Sequence, residues 1–326
     1  MTHSDTTMSL PRSGLSLLDK TVAVASWALA GAIFLEIGWL AMAPDDPRGA
    51  VSLLSRPSAV SMLLQAGALA AVCASIAAVM AGRRLPDAGV FAAAVGLTLV
   101  SLEGGTTTAL LIARAQEAGA PHRALSLALA GESVGWFAVL FVAAWVSAAV
   151  TVWCHAPRGP RGSVRWLSPW EDTMPLLAVD LRLPGVHRSA FSGLPLTPVN
   201  EGLRHALVTA GGTLAAVALL STGLGHRTVE HGQACFIVAA GVLLAGRLAH
   251  RVAPVRSPGW SLIGVGFAAA AGYLWAAVQS AGVAPLASVP PSRFLRILPI
   301  QFLAVGTAVA MATFWSIRPA SRGERP

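Results

Sequence analysis

Eight apolar stretches of about 20 residues each, parted by short polar turns, leave this chain one kind of fold. They cover residues 21–43, 58–81, 88–114, 126–153, 204–225, 231–250, 259–280 and 293–316. A run of this length crosses the hydrocarbon core of a bilayer as an α-helix, which satisfies every backbone N–H and C=O without water. Composition agrees. The 326 residues are 55% hydrophobic and only 12% charged, with a mean hydropathy of +0.65, whereas a soluble domain is nearer a quarter charged. The expected class is an all-α integral membrane protein with eight transmembrane helices.

Arginine placement predicts the orientation. Of the 23 basic residues 22 are Arg, and they sit at helix ends and in turns. With the N-terminus in the cytoplasm, all but Arg48, Arg56, Arg114, Arg123, Arg227, Arg293 and Arg296 fall on the cytoplasmic side. That asymmetry predicts a bacterial-type cytoplasmic membrane protein with both termini inside. The net charge of +8 then reflects topology, so the bilayer is the expected partner and nucleic acid is not.

The chain divides into a cytoplasmic tail at 1–20, a first four-helix half at 21–153, a linker at 154–203, a second half at 204–316 and a tail at 317–326. The linker is rich in proline and arginine, and Trp166 and Trp170 suit it to lie on headgroups. Residues 1–18 hold no apolar h-region, so no cleavable signal peptide is expected. The halves read as copies. Gly14-Leu15 matches Gly202-Leu203, and Gly82-Arg83-Arg84-Leu85-Pro86 resembles His250-Arg251-Val252-Ala253-Pro254. Four spans per half make the repeats parallel, related by an axis along the membrane normal.

Polar residues inside apolar helices are the first place to look for chemistry. A carboxylate at membrane depth costs about 2.5–3.5 kcal/mol, so it is kept for a function or hidden from lipid. Glu36, Glu103 and Glu132 lie within roughly 10 Å of one another in predicted depth, at about 1.5 Å per helical residue. Gln65 and Gln301 fall at a similar level, which predicts a polar cluster in the outer leaflet. Such a layer binds a cation, passes protons or holds the head of an amphiphile; the alternative is structural, with each group hydrogen-bonded between helices. Gly104-Gly105 ahead of Thr106-Thr107-Thr108 is expected to serve close helix packing, though a broken helix would use the same residues.

Histidine and cysteine narrow the cofactor question. His226 and His231, with His122, gather on the predicted outer side and are candidate ligands for haem or a metal of unknown identity. No helix carries the mid-membrane histidine pair of a buried bis-His haem. Cys73, Cys154 and Cys235 form no C-x-x-C motif, so thiol-redox and c-type haem attachment lack their signature. No P-loop, G-x-S-x-G or H-E-x-x-H occurs, and no catalytic residues are assigned. Enzymatic activity is not the expectation.

Several short motifs resemble the cytochrome c assembly family, the multi-span proteins that handle haem during c-type cytochrome maturation. They are Leu194-Pro195, Glu201-Gly202-Leu203, the small-residue helix 213–225, Leu248-Ala249-His250-Arg251, Gly259-Trp260 and Gly264-Val265-Gly266-Phe267. Ser16-Leu17-Leu18-Asp19-Lys20, Trp39 and Asp46-Pro47-Arg48 echo the same order in the first half. The resemblance implies an accessory or degenerate haem-handling factor, partnered by a c-type cytochrome maturation system, with His250 as the family-like histidine. The tryptophan-rich external loop of that family is missing here. Two other functions fit the residues. One is a proton- or cation-linked small-molecule transporter using the glutamate cluster; the other is a structural subunit among other membrane subunits.

Overall fold

In the computed structural model the described residues are 17–46, 49–81, 85, 87–106, 109–110, 122–155, 197–223, 229–281 and 292–317. Most of the predicted linker, most of both terminal tails and His226 lie outside them. Among the described residues every regular element is helical, and one isolated bridge joins Ala50 to Gly105.

Eight long helices form among the described residues, in chain order. Helix α1 (Leu17–Ile33) passes through a π-helical segment (Phe34–Gly38) into a last turn (Trp39–Met42). It is followed by α2 (Ala59–Ala81), α3 (Ala88–Glu103), α4 (His122–His155), α5 (Val199–Thr222), α6 (His231–Val252), α7 (Gly259–Gln279) and α8 (Pro299–Ile317). Alanine and leucine dominate their interiors, and the ends carry recognisable stops. Ser58 caps α2 through its Oγ to Ser61 N, Glu230 and Gln233 form a capping box on α6, and Pro299 opens α8. Seven of these segments are long and apolar enough to cross a membrane; α3, at 16 residues, is the short one.

The third apolar window therefore needs correcting. A helix was expected over 88–114, but α3 ends at Glu103 and Gly104 turns to extended backbone at φ −85°, ψ −175°. Gly105 N then donates to Gly49 O at 2.7 Å, pairing the chain with the loop that follows α1. The two glycines break the helix instead of lying within a continuous one. Gly104 also gives that loop room, since a Cβ there would sit 2.8 Å from Val51 Cγ2 and 3.1 Å from Gly49 O. The last window is corrected too: Arg293–Arg296 is a 3-10 turn, and α8 begins only at Pro299.

In the first half α1 packs on α2 and α3, and α2 packs on α3 and α4. In the second half α5 packs on α6 and α7, and α8 packs on α6 and α7. The halves meet through α4 against α7, α3 against α8, and α4 against α8. One difference stands out. The diagonal pair α2/α3 is in close contact, with Gly89 of α3 set against the Ala74 carbonyl, whereas α6 and α7 barely meet. The first half is a collapsed rhombus and the second an open square.

Candidate functional site

Contacts between helix ends define two rims. At one, here the loop rim, α1 ends, α3 ends, and α2, α4, α6 and α8 begin. At the opposite rim α5 and α7 begin beside the end of α6, with His205 bonded to Ala253 and Ser261. The loop rim is unusual because residues 50–53 and 294–298 lie outside any α-helix yet are enclosed by the protein. Buried backbone without a helical partner must be satisfied some other way, at about 1–3 kcal/mol for each group left unmet. Four side chains on the surrounding helices meet that need.

Glu132, on α4 and 3% exposed, is the first. It accepts from Ser52 Oγ at 2.5 Å, from Trp136 Nε1 at 2.8 Å and from the Leu53 amide. Three donors converge on the carboxylate, a set that suits its ionised, acceptor-only form. Tyr273 on α7 is the second, and its hydroxyl donates to Ile297 O at 2.7 Å.

His231 and Gln301 work as a pair. His231 opens α6, and its Nε2 lies 2.8 Å from Gly104 O, the carbonyl released where α3 breaks. A carbonyl only accepts, so Nε2 carries the hydrogen. Nδ1 is then free to accept from Gln301 Nε2, 2.6 Å away. Gln301 Oε1 in turn accepts from Leu298 N at 3.4 Å, which fixes the amide orientation. The chain of bonds ties the first half to the second through one neutral imidazole. Arg56 completes the rim by donating to Ala41 O and Ala43 O, each at 2.7 Å, and so caps the end of α1.

The predicted polar cluster is thus divided. Glu132 and Gln301 are buried in the rim, while Glu36, Gln65 and Glu103 are exposed on the helix surfaces. Glu36 lies in the π-helical segment between exposed Leu35 and Ile37, and the five polar groups do not share one enclosed site. The histidines divide as well. His122 is buried with Nε2 unpartnered, both ring nitrogens of His231 are engaged, and half-buried His250 stands edge-on to His205 with ring centroids 6.4 Å apart. No group of three or more metal-ligating side chains occurs among the described residues.

Ser52 and Tyr273 did not emerge from the sequence. Tyr273 is the only tyrosine, which is a signal of a kind; a serine in a polar turn carries none. Replacing Tyr273 with Phe removes one hydroxyl and strands the Ile297 carbonyl, for an expected loss of about 1–2 kcal/mol. Thermal unfolding in detergent measures it, and an unchanged midpoint would show that the 294–298 segment is held otherwise. No known family, characterised protein or solved structure matches this chain.

Proposed function

We propose that this chain is a proton- or cation-linked small-molecule transporter, crossing a bacterial-type cytoplasmic membrane eight times with both termini inside. The eighth crossing is α3, which runs from rim to rim despite its length. The repeat reading is supported by helix pairs that recur between halves: α1/α3 with α5/α7, α2/α4 with α6/α8, and α3/α8 with α7/α4. The observation that carries the function is Glu132. It is a buried carboxylate on α4, the helix that meets both α7 and α8 across the seam. Ionisable groups inside membrane bundles mark ion or substrate routes.

Its partners supply the mechanism. The anionic carboxylate holds Ser52 and Leu53, and with them the enclosed segment 50–53, against α4. A proton arriving on Glu132 removes the charge that those donors converge on and turns one acceptor oxygen into a donor. The segment is then released from α4, so proton uptake is coupled to opening at the loop rim. Proteoliposomes containing a trapped pH dye test this under an inward proton gradient. The wild type should acidify the lumen faster than Glu132→Gln protein that elutes from gel filtration as the wild type does. Equal rates for the two would overturn the proposal.

A haem-handling role remains the second reading. The observation in its favour is the unpartnered Nε2 of buried His122, one of the candidate haem ligands read from the sequence. It predicts a Soret band in protein purified after expression with haem supply, lost in His122→Ala. Colourless protein would dismiss it.

A further inference from the structure

Glu36 and Gln65 face outward, and the packing of their helices is the reason. In α1 the buried Phe34 and Gly38 bracket the π-helical turn, so Leu35, Glu36 and Ile37 between them are all exposed. Phe34 is held in place by α3, where a Cβ on Gly96 would collide with its ring. In α2 the buried line runs through Met62, Ala66, Ala70 and Cys73, which leaves Gln65 on the exposed side with Leu64 and Ala68. A π-helical insertion is costly and recurs at functional positions; here its effect is to turn a carboxyl group outward.

The two side chains also share a depth. Helix α1 ends where α2 begins, and Arg56 ties the turn between them to Ala41 O and Ala43 O. Glu36 lies six residues before Met42, the last of α1, and Gln65 six residues after Ala59, the first of α2. Each is therefore about 9 Å in from the loop rim, at about 1.5 Å per residue. The π-helical segment touches α2 directly, so the pair stands on neighbouring helices. Both belong to stretches long and apolar enough to cross a membrane, among exposed Leu40, Val60, Leu64 and Val72. Neither side chain is hydrogen-bonded among the described residues. In hydrocarbon an unbonded carboxyl or carboxamide is costly, and polar groups at that depth are normally turned toward protein.

We propose that a second copy of this chain covers this face, with Glu36 of each copy accepting from the Gln65 amide of the other. Copies inserted with one orientation are related by an axis along the membrane normal, which keeps every residue at its own depth. Groups that meet across the axis must therefore be level, as Glu36 and Gln65 are. A twofold contact also brings residue i to j and j to i, so an acceptor and a donor on adjacent helices complete each other twice. Glu36 against itself would only set like groups together. Small residues let the copies approach: nothing lies within 4 Å of a Cβ built on Gly67, and Ala68 beside it is exposed. The pairing stands apart from the transport reading, since Glu132 is buried on α4.

Energy transfer between donor- and acceptor-labelled full chains in liposomes tests this, read as added lipid dilutes them. The wild type should associate. Glu36→Leu and Gln65→Leu should each weaken that association at least about tenfold, because either change removes both bonds between the copies. Both positions are exposed, so each variant should melt as the wild type does. Mixing the two variants separates this pairing from any other contact. A dimer of one Glu36→Leu chain with one Gln65→Leu chain keeps one of the two bonds, and should form more tightly than either variant does with itself. A wild type that stays monomeric, association unchanged in both variants, or a mixture no tighter than the variants alone would overturn the proposal.

Discussion

Glu132→Ala should be the most damaging single change in this protein. It withdraws the acceptor from Ser52 Oγ, Trp136 Nε1 and the Leu53 amide together, in a place that water does not reach. Leaving a buried neutral donor without its acceptor costs about 1–3 kcal/mol, and three are stranded here, together a large part of a typical protein's whole stability. The expected outcome is a sharp fall in folded yield and, for what survives, early unfolding in detergent. Gly131→Ala is the matched control, one residue away: nothing lies within 4 Å of its missing Cβ, so it should be neutral or slightly stabilising. If both variants melt alike, the loop segment 50–53 is not held by the carboxylate.

Gly89→Val should come second. A Cβ at this position would lie 2.7 Å from the Ala74 carbonyl oxygen and would also collide with the Ser147 side chain. The first obstacle is backbone and cannot rotate away, so α3 must move off α2 and α4 together. Overpacking of this kind costs about 3 kcal/mol. Loss of monodisperse protein on gel filtration is the readout. A Gly89→Val protein that behaves as the wild type would show that the α2/α3 diagonal is loosely packed. The result bears on the second half by contrast, because it is this contact that the open square lacks.

The helices were legible in the sequence because a bilayer imposes one length scale, and an apolar run either meets it or does not. Most ends were placed within a few residues. The break after Glu103 was not, since Gly104-Gly105 reads the same whether a neighbour packs against the helix or replaces its next turn. What decides is the Gly49–Val51 backbone, which arrives from far upstream in the chain. The polar cluster failed for a related reason. Depth can be counted along a helix, but the direction a residue faces depends on its neighbours, and the π-helical segment rotates the register at Glu36 itself. Glu132 and Gln301 are buried, and their partners from elsewhere in the chain, Ser52 and the Leu53 amide for one and His231 and the Leu298 amide for the other, carry no sequence signature that would pair them.

The shortness of α3 has a consequence for how the protein is made. Sixteen residues rise about 24 Å, several ångströms less than the roughly 30 Å hydrocarbon thickness, and a lone helix of that length would pinch the lipid around it. In the eight-crossing arrangement proposed above, α1, α2, α4 and α8 surround it, so the deficit would be presented to protein and not to acyl chains. Two of those neighbours, α4 and α8, are synthesised later. During translation α3 therefore waits in an incomplete setting, and its final seat exists only once the last helix of the chain has arrived.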